Sequence, residues 1–424
     1  MNMLVKKICL IISICLYIIN LFCPVYSFIN KDVLSVYDGI PKIYLVGNID
    51  DMNDKKDERK VSINYISDGI SFAKFAKIKI QGSSSLRYEK KNYTIKLYND
   101  ENLEDSFKVD FGWGKENKYV LKANWIDKTH SRNIVTANIF ADIQKEFNLF
   151  NDSPNNGMID GFPIEIYLNN SFFGIYTLNI PKDEWLFNMD NNNPNNLIFS
   201  ANTWEKTVSF YDKANYIDWE IEVGEQNKEN LDKLNRLIDF VMYSSDEDFK
   251  KDINDYFNLD SLLNYYIMVE TSHLIDNTSK NLLLITYDGN IWYTSLYDLD
   301  TSWGTYWNGI DLVNYSETNI LLENNLWKRV KDNFTDELVE RYFYLRGSIL
   351  TKGNIMNEFY SFYNLIPEDS FNNELKKWGF IPGYELKQIE EFLDIKLPVL
   401  DDEFFSMYTK SNVFVRLFEQ KHFT

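Results

Sequence analysis

The spacing of apolar residues changes along this chain from a period of two to a period near 3.6, and that change constrains the fold most. Over residues 33–180 the pattern is mainly that of strands, because apolar and polar residues alternate. The predicted strands lie at 75–80, 93–97, 119–123, 164–168 and 174–178. One helix is predicted inside this region, over 131–147. A strand-rich first part therefore begins the chain.

Helical spacing takes over after the polar, turn-rich stretch 190–196. We expect helices at 231–241, 259–270, 335–350 and 385–393, together with a strand hairpin over 281–298. Strands followed by helices predict an α+β fold with a strand-rich N-terminal lobe and a helical C-terminal lobe. The predicted divisions are 1–27, 28–185 and 186–424.

The charge balance excludes one class of partner. Lys and Arg number 44 against 63 Asp and Glu, a formal net charge of −19. Such a surface repels a phosphate backbone, so the chain is not expected to bind nucleic acid. A hydrophobic content of 45% excludes a disordered acidic protein.

The first 27 residues resemble an export signal. Two lysines precede the apolar run 8–22, and small residues follow it. The run is shorter than the ~20 residues of a spanning helix, which favours cleavage over retention as a membrane anchor. We expect the protein to be exported or membrane-tethered through residues 1–27, with no other contact to a membrane.

Cysteine and histidine chemistry is nearly excluded. All three cysteines precede residue 24, so the folded part has no thiolate nucleophile, disulfide or Cys-based metal site. The histidines are His130, His273 and His422. A histidine-rich metal site or a Ser-His-Asp triad would have to draw on these few residues.

A small-residue loop follows the predicted strand at 75–80. Gly82, Ser83, Ser84 and Ser85 can present backbone N–H groups and hydroxyls to phosphate oxygens. The alternative is an ordinary turn, since no Walker sequence is present. Lys91 shares a predicted strand face with apolar residues, where an ammonium is costly unless it meets an anion. We therefore predict that Lys91 meets a bound anion.

A second candidate lies at the start of the predicted helix 131–147. Arg132 in its first turn could bind a carboxylate or a phosphate through two parallel hydrogen bonds. Asp127 or Ser131 could instead simply cap that helix. Both interpretations remain open from the residues.

The strongest constellation surrounds the hairpin 281–298. Asp276 precedes this hairpin and Asn281 begins it. Asp298 is at its other end, and Asp300 follows two residues later. If the turn centres on 289–290, strand pairing places Asn281 opposite Asp298, with Cβ atoms ~5 Å apart. Amide and carboxylate oxygens at that distance from each other are suitable ligands for Mg²⁺ or Mn²⁺. Asp276 would then lie beside the metal and act as a base. The alternative is a surface hairpin whose acids are solvated.

At these residues the sequence resembles the spore coat protein H (CotH) kinase family of atypical protein kinases. The resemblance rests on ordered blocks at 79–85, 90–97, 120–127, 132–133, 166–176, 276–281 and 297–304. It implies a two-lobed, protein-kinase-like fold and transfer of the terminal phosphate of ATP to Ser or Thr of a protein, with Mg²⁺ or Mn²⁺.

The resemblance also implies roles for single residues. Lys91 would bind nucleotide phosphates, Asp276 would act as the base and Asp298 would hold the metal, with Asn281 and Asp300 as further metal ligands. The expected substrate is a Ser-rich protein of a spore coat or cell surface, which places the chain on the spore coat or spore surface.

The sequence departs from the family pattern at three places. Gln81 stands where Arg is usual, residues 179–180 stand where a strand commonly ends in Glu, and Tyr297 replaces a common Trp. The first two keep open a pseudokinase-like assembly protein. A metal-dependent hydrolase built on Asp276, Asp298 and Asp300 is a third alternative, but it leaves Lys91 without a role.

Overall fold

The computed structural model describes residues 39–82 and 84–410, in which strands dominate the first part and helices the second. The strands are β1 (Lys42–Val46), β2 (Glu58–Ile66), β3 (Ser71–Gln81), β4 (Asn92–Tyr98), β5 (Val109–Asp110), β6 (Lys115–Glu116), β7 (Lys118–Lys122), β8 (Gly161–Leu168), β9 (Ser171–Asn179), β10 (Leu197–Ala201), β11 (Trp219–Val223), β12 (Leu282–Thr286) and β13 (Trp292–Leu296). The helices are α1 (Arg132–Glu146), α2 (Lys228–Tyr243), α3 (Asp246–Asp252), α4 (Leu259–Ser272), α5 (Asn325–Asn333), α6 (Thr335–Arg346), α7 (Lys352–Tyr363), α8 (Glu368–Trp378) and α9 (Leu386–Lys410). The α+β class predicted from the sequence is confirmed.

Seven strands close into a barrel in the order β1-β2-β3-β4-β7-β9-β8. The barrel closes where β1 pairs antiparallel with β2 and parallel with β8. Ala76, Ile78 and Ile80 of β3 are buried in its interior, whereas Lys79 between them is exposed. This alternation is the signal that predicted the strand, since successive side chains point to opposite faces.

A second sheet has the order β11-β10-β12-β13 and lies beyond the barrel in the chain. The sequence pattern predicts the hairpin β12–β13 but neither β10 nor β11. All five residues of β10 are buried, so this strand lacks the alternation that marks a strand with one solvent-facing side. Period alone cannot distinguish such a strand from a buried helix.

The register of β12–β13 corrects one expectation. Leu282 pairs with Leu296 and Thr286 with Trp292, so Asn281 falls opposite Tyr297 rather than Asp298. The loop centres on Gly289 because the Asp288 carboxylate accepts the N–H groups of Asn290 and Ile291. That Asx-type turn sets the register one position away from the predicted one.

Two large hydrophobic cores divide the described residues. One fills the barrel, and the other contains α1, the second sheet and most of the later helices. Helix α1 packs against α4 and α7, and α8 packs against β9 of the barrel. Strand-rich and helical regions are therefore interleaved, and the boundary predicted at 185/186 stays a prediction.

The predicted leader, 1–27, lies outside the described residues. Among the helices within 39–82 and 84–410, none is long and apolar enough to cross a membrane.

Candidate active site

The site is centred on two acids that follow β13. Asp298 and Asp300 are bridged by the ammonium of Lys122, the last residue of β7, with Nζ–O distances of 2.5 and 3.2 Å. Burial disfavours the Lys122 cation, but the two carboxylates outweigh that effect and raise its pKa. A barrel strand thus supplies a cation to acids carried by the second sheet.

The two acids differ in their readiness to ionise. Burial raises the pKa of Asp298, but attraction and a hydrogen bond from Lys122 dominate and hold it below its usual value. Burial, opposed by Lys122 but reinforced by the Asp298 charge, raises the pKa of Asp300 to about 6. One lysine cannot fully compensate two neighbouring carboxylates, so the pair retains capacity for another cation.

Asp276 lies in a single helical turn, Asp276–Thr278, just after α4. His273, the residue after α4, adopts a left-handed conformation with φ 55°, which ends the helix. Burial raises the pKa of Asp276, Lys280 opposes this, and the Asp298 charge raises it further. The structure therefore places Asp276 within electrostatic range of Asp298.

Asn277, which was not among the residues predicted from the sequence, joins this turn to the acidic segment. Its Nδ2 donates to the carbonyl of Tyr297 at 3.0 Å, and the residue is fully buried. Asn281, the predicted metal ligand, has φ 61° and donates its backbone N–H to the Ala201 carbonyl at 2.9 Å. Its backbone fixes the start of β12.

The segment 298–304 is held mainly from α1 and α4. The Asn133 Oδ1 accepts the N–H of Leu299 at 2.9 Å, and the Ser272 carbonyl accepts the N–H of Trp303 at 2.7 Å. Asp298 and Trp303 have positive φ, as does Gly304. These contacts maintain a strained turn that aims both carboxylates at Lys122.

Arg132 supports this segment instead of facing a ligand, which corrects its predicted role as a phosphate clamp. Its side chain is fully buried, and Nε donates to the Ser302 carbonyl at 3.2 Å. Nη1 donates to Asp127 at 2.7 Å and Nη2 to Gln388 at 2.6 Å. Each side-chain nitrogen is thus committed to a protein acceptor, and Asp127 also accepts the backbone N–H of Arg132 as a helix cap.

The small-residue loop connects β3 to β4. Gly82 has φ +112°, and a Cβ there would lie 1.9 Å from the Ser85 Oγ, so the close turn requires glycine. Ser84 begins the helical turn Ser84–Arg87, and Ser83 lies outside the described residues. Gln81, before the loop, donates to the Tyr297 hydroxyl at 3.1 Å. The loop therefore adjoins the acidic segment through the side chain of Tyr297.

Lys91 lies before β4 and donates its ammonium hydrogens to the carbonyls of Leu86 and Tyr88. Its ammonium therefore binds carbonyl groups of its own loop. Lys122, and not Lys91, is the lysine that contacts Asp298 and Asp300. Lys122 was missed although the sequence carries its signal. It is a lysine between Leu121 and Ala123 in an apolar strand, where an ammonium requires an anion.

The donor set suits a hard divalent cation. Mg²⁺ in proteins uses one or two carboxylates and completes its shell with water and substrate phosphates. Asp298 and Asp300 provide two carboxylates, and both contact Lys122. Within 39–82 and 84–410, no group of three or more His, Cys, Asp or Glu residues is placed to hold a metal ion. Asp298 and Asp300 are the residues of this site that could contribute to one.

A family model described as CotH kinase protein matches residues 78–397, which include every predicted site residue. A search of the curated proteins finds no match to the chain.

Proposed function

The chain belongs to the CotH kinase family, and from that premise we propose that it transfers the terminal phosphate of ATP to a Ser or Thr hydroxyl of a protein. The observation that carries the proposal is the contact of Lys122 with Asp298 and Asp300. Lysine, paired acids and a nearby third carboxylate are the groups that phosphoryl transfer requires, because it depends on positioning and charge neutralisation.

Each group has a distinct role in the proposed reaction. Asp298 and Asp300 would hold Mg²⁺ or Mn²⁺, which neutralises phosphate charge when bound. Lys122, which contacts both acids, would bind a phosphate oxygen of the nucleotide. Asp276 accepts the proton of the substrate hydroxyl. At the same time the hydroxyl oxygen bonds to the terminal phosphorus of ATP, and the bond between that phosphorus and the ADP oxygen breaks. The raised pKa of Asp276 favours holding that proton.

The proposal is tested by incorporation of labelled terminal phosphate from ATP into the protein itself or into a Ser-rich coat protein. Asp298→Ala should abolish Mg²⁺-dependent transfer, and Asp276→Asn should bind ATP yet transfer poorly. Asp232→Ala, at an exposed acid on α2, is the matched control and should transfer normally. Full activity of Asp298→Ala would contradict the metal assignment.

A pseudokinase-like assembly protein is the second candidate, and Gln81 favours it. Metal-dependent ATP binding without transfer to any of a panel of proteins would support this candidate. Release of free phosphate without an acceptor would instead support a hydrolase.

The location of the protein is also a proposal. Residues 1–27 would direct export or tether the chain to a membrane, so that it acts at a spore coat or cell surface. N-terminal sequencing of the protein from its native cells tests this. A mature chain that retains its first residues in a soluble cytosolic fraction would contradict it.

A further inference from the structure

A second lysine lies beside the acidic segment in a setting unlike that of an ordinary ion pair. Lys182 follows β9, and its Nζ lies 2.6 Å from the Glu222 carboxylate and 3.2 Å from the Ser200 hydroxyl. The same Nζ lies 4.5 Å from the centre of the Tyr297 ring. Its side chain is 18% exposed and that of Glu222 is 15% exposed, so solvent can reach a pair that is otherwise enclosed.

The backbone aims Glu222 at this lysine. Ile198 pairs with Val223, but Phe199 pairs with Ile221, so Glu222 is the extra residue of a β-bulge in β11. A bulge redirects a side chain that regular pairing would point elsewhere, and bulges are common beside active sites. The pair is therefore built by the sheet itself.

Tyr297 connects this pair to the rest of the site. Its ring contacts Lys182, its hydroxyl accepts from Gln81 before the small-residue loop, and its carbonyl accepts from Asn277 beside the proposed base. Asp298 is the next residue in the chain. The Lys182 charge also helps to stabilise the Asp298 carboxylate.

We propose that Lys182 is a second phosphate-binding lysine of the site, held by Glu222 until a nucleotide arrives. This inference rests on the proposed function. A triphosphate carries more negative charge than one metal ion and Lys122 can neutralise, and Lys182 is a cation at the same acidic segment. On binding, the ammonium exchanges part of its contact with Glu222 for a phosphate oxygen, with Tyr297 keeping it in place through its ring.

The proposal makes opposite predictions for the two partners. Lys182→Met should weaken binding of Mg²⁺-ATP by about tenfold or more, because a charge-assisted contact is lost. Lys182→Arg should restore part of that loss. Glu222→Gln should bind Mg²⁺-ATP several-fold more tightly, because it releases the lysine. If the pair were only structural, Glu222→Gln would bind ATP equally or more weakly.

The experiment measures Mg²⁺-ATP affinity by calorimetry on the full chain, together with KM and kcat for transfer. Lys228→Met is the matched control, since Lys228 forms an exposed ion pair with Asp232 at 3.0 Å on α2. It should leave ATP affinity unchanged. If Lys182→Met does not fold, Glu222→Gln decides, because unchanged or weaker ATP binding in that variant overturns the proposal.

The result also separates this inference from the proposed function. A wild-type chain that fails to bind Mg²⁺-ATP overturns both. A wild-type chain that binds and transfers, with Lys182→Met and Glu222→Gln indistinguishable from it, overturns only the role of Lys182.

Discussion

The Nζ of Lys122 lies 2.5 Å from the Oδ1 of Asp298, and this contact joins the barrel to the second sheet at the site. Lys122 ends β7 of the barrel, whereas Asp298 follows β13. Asp300 contacts the same Lys122 ammonium, so any other cation that binds the two acids competes with Lys122. Metal binding and release of the lysine are therefore coupled in the proposed mechanism.

Replacement of Lys122 should separate it clearly from Lys91. Lys122→Met should reduce transfer at least about 100-fold, because the ammonium nearest the acids is lost. Lys91→Met should retain transfer within about tenfold, because its ammonium binds carbonyls of its own loop. Initial rates and thermal unfolding of both variants provide the measurement. A folded Lys91→Met that cannot transfer phosphate would restore Lys91 as the nucleotide lysine.

Metal affinity should fall as the pH drops through about 6. The raised pKa of Asp300 means that above pH 6 the carboxylate is ionised and available, whereas below pH 6 a proton competes with the metal. One competing proton weakens binding by at most about tenfold per pH unit. Titration with Mn²⁺ between pH 5 and 7.5 measures this.

Asp300→Asn is the control for that titration. It should bind Mn²⁺ more weakly at pH 7 and lose the decline that begins near pH 6, because Asp298 has its pKa held below the usual value. An unchanged pH profile in Asp300→Asn would show that another group titrates.

Arg132→Met should destabilise the folded chain by about 3–5 kcal/mol, because it leaves Asp127 as a buried, unpaired charge. The free energy of unfolding in urea measures the loss. Arg236→Met, at an exposed arginine on α2, should cost under about 1 kcal/mol. An Arg132→Met variant of normal stability that binds ATP poorly would instead support the predicted phosphate clamp.

Glu374→Gln should loosen α8 from the barrel. The Lys90 ammonium is fully buried and lies 2.5 Å from Glu374, whose other oxygen accepts the N–H of Ile175 in β9. Removing the carboxylate leaves a buried cation, a loss of about 3–5 kcal/mol. Amide exchange in α8 and urea unfolding report it. Asp394→Asn, which breaks an exposed pair with Lys352, should change neither.

The sequence by itself determined the elements whose periodicity is clear. β3, β4 and β7 show alternation, and α2 and α4 show helical spacing, so local pattern identified each of them. It also predicted that Asp276, Asp298 and Asp300 lie near one another, because a hairpin brings together the residues near both of its ends whatever the rest of the fold does. Their catalytic and metal-binding roles stay predictions.

Only the tertiary structure decided which lysine meets those acids. Lys91 directly precedes the apolar strand β4 and Lys122 ends the apolar strand β7, and periodicity cannot show which of these strand ends lies opposite the second sheet. The same limit applies to Arg132, whose acceptors Ser302 and Gln388 are far away in sequence. A side chain's role as clamp or support depends on which distant groups fold against it, and a local pattern carries no information about them.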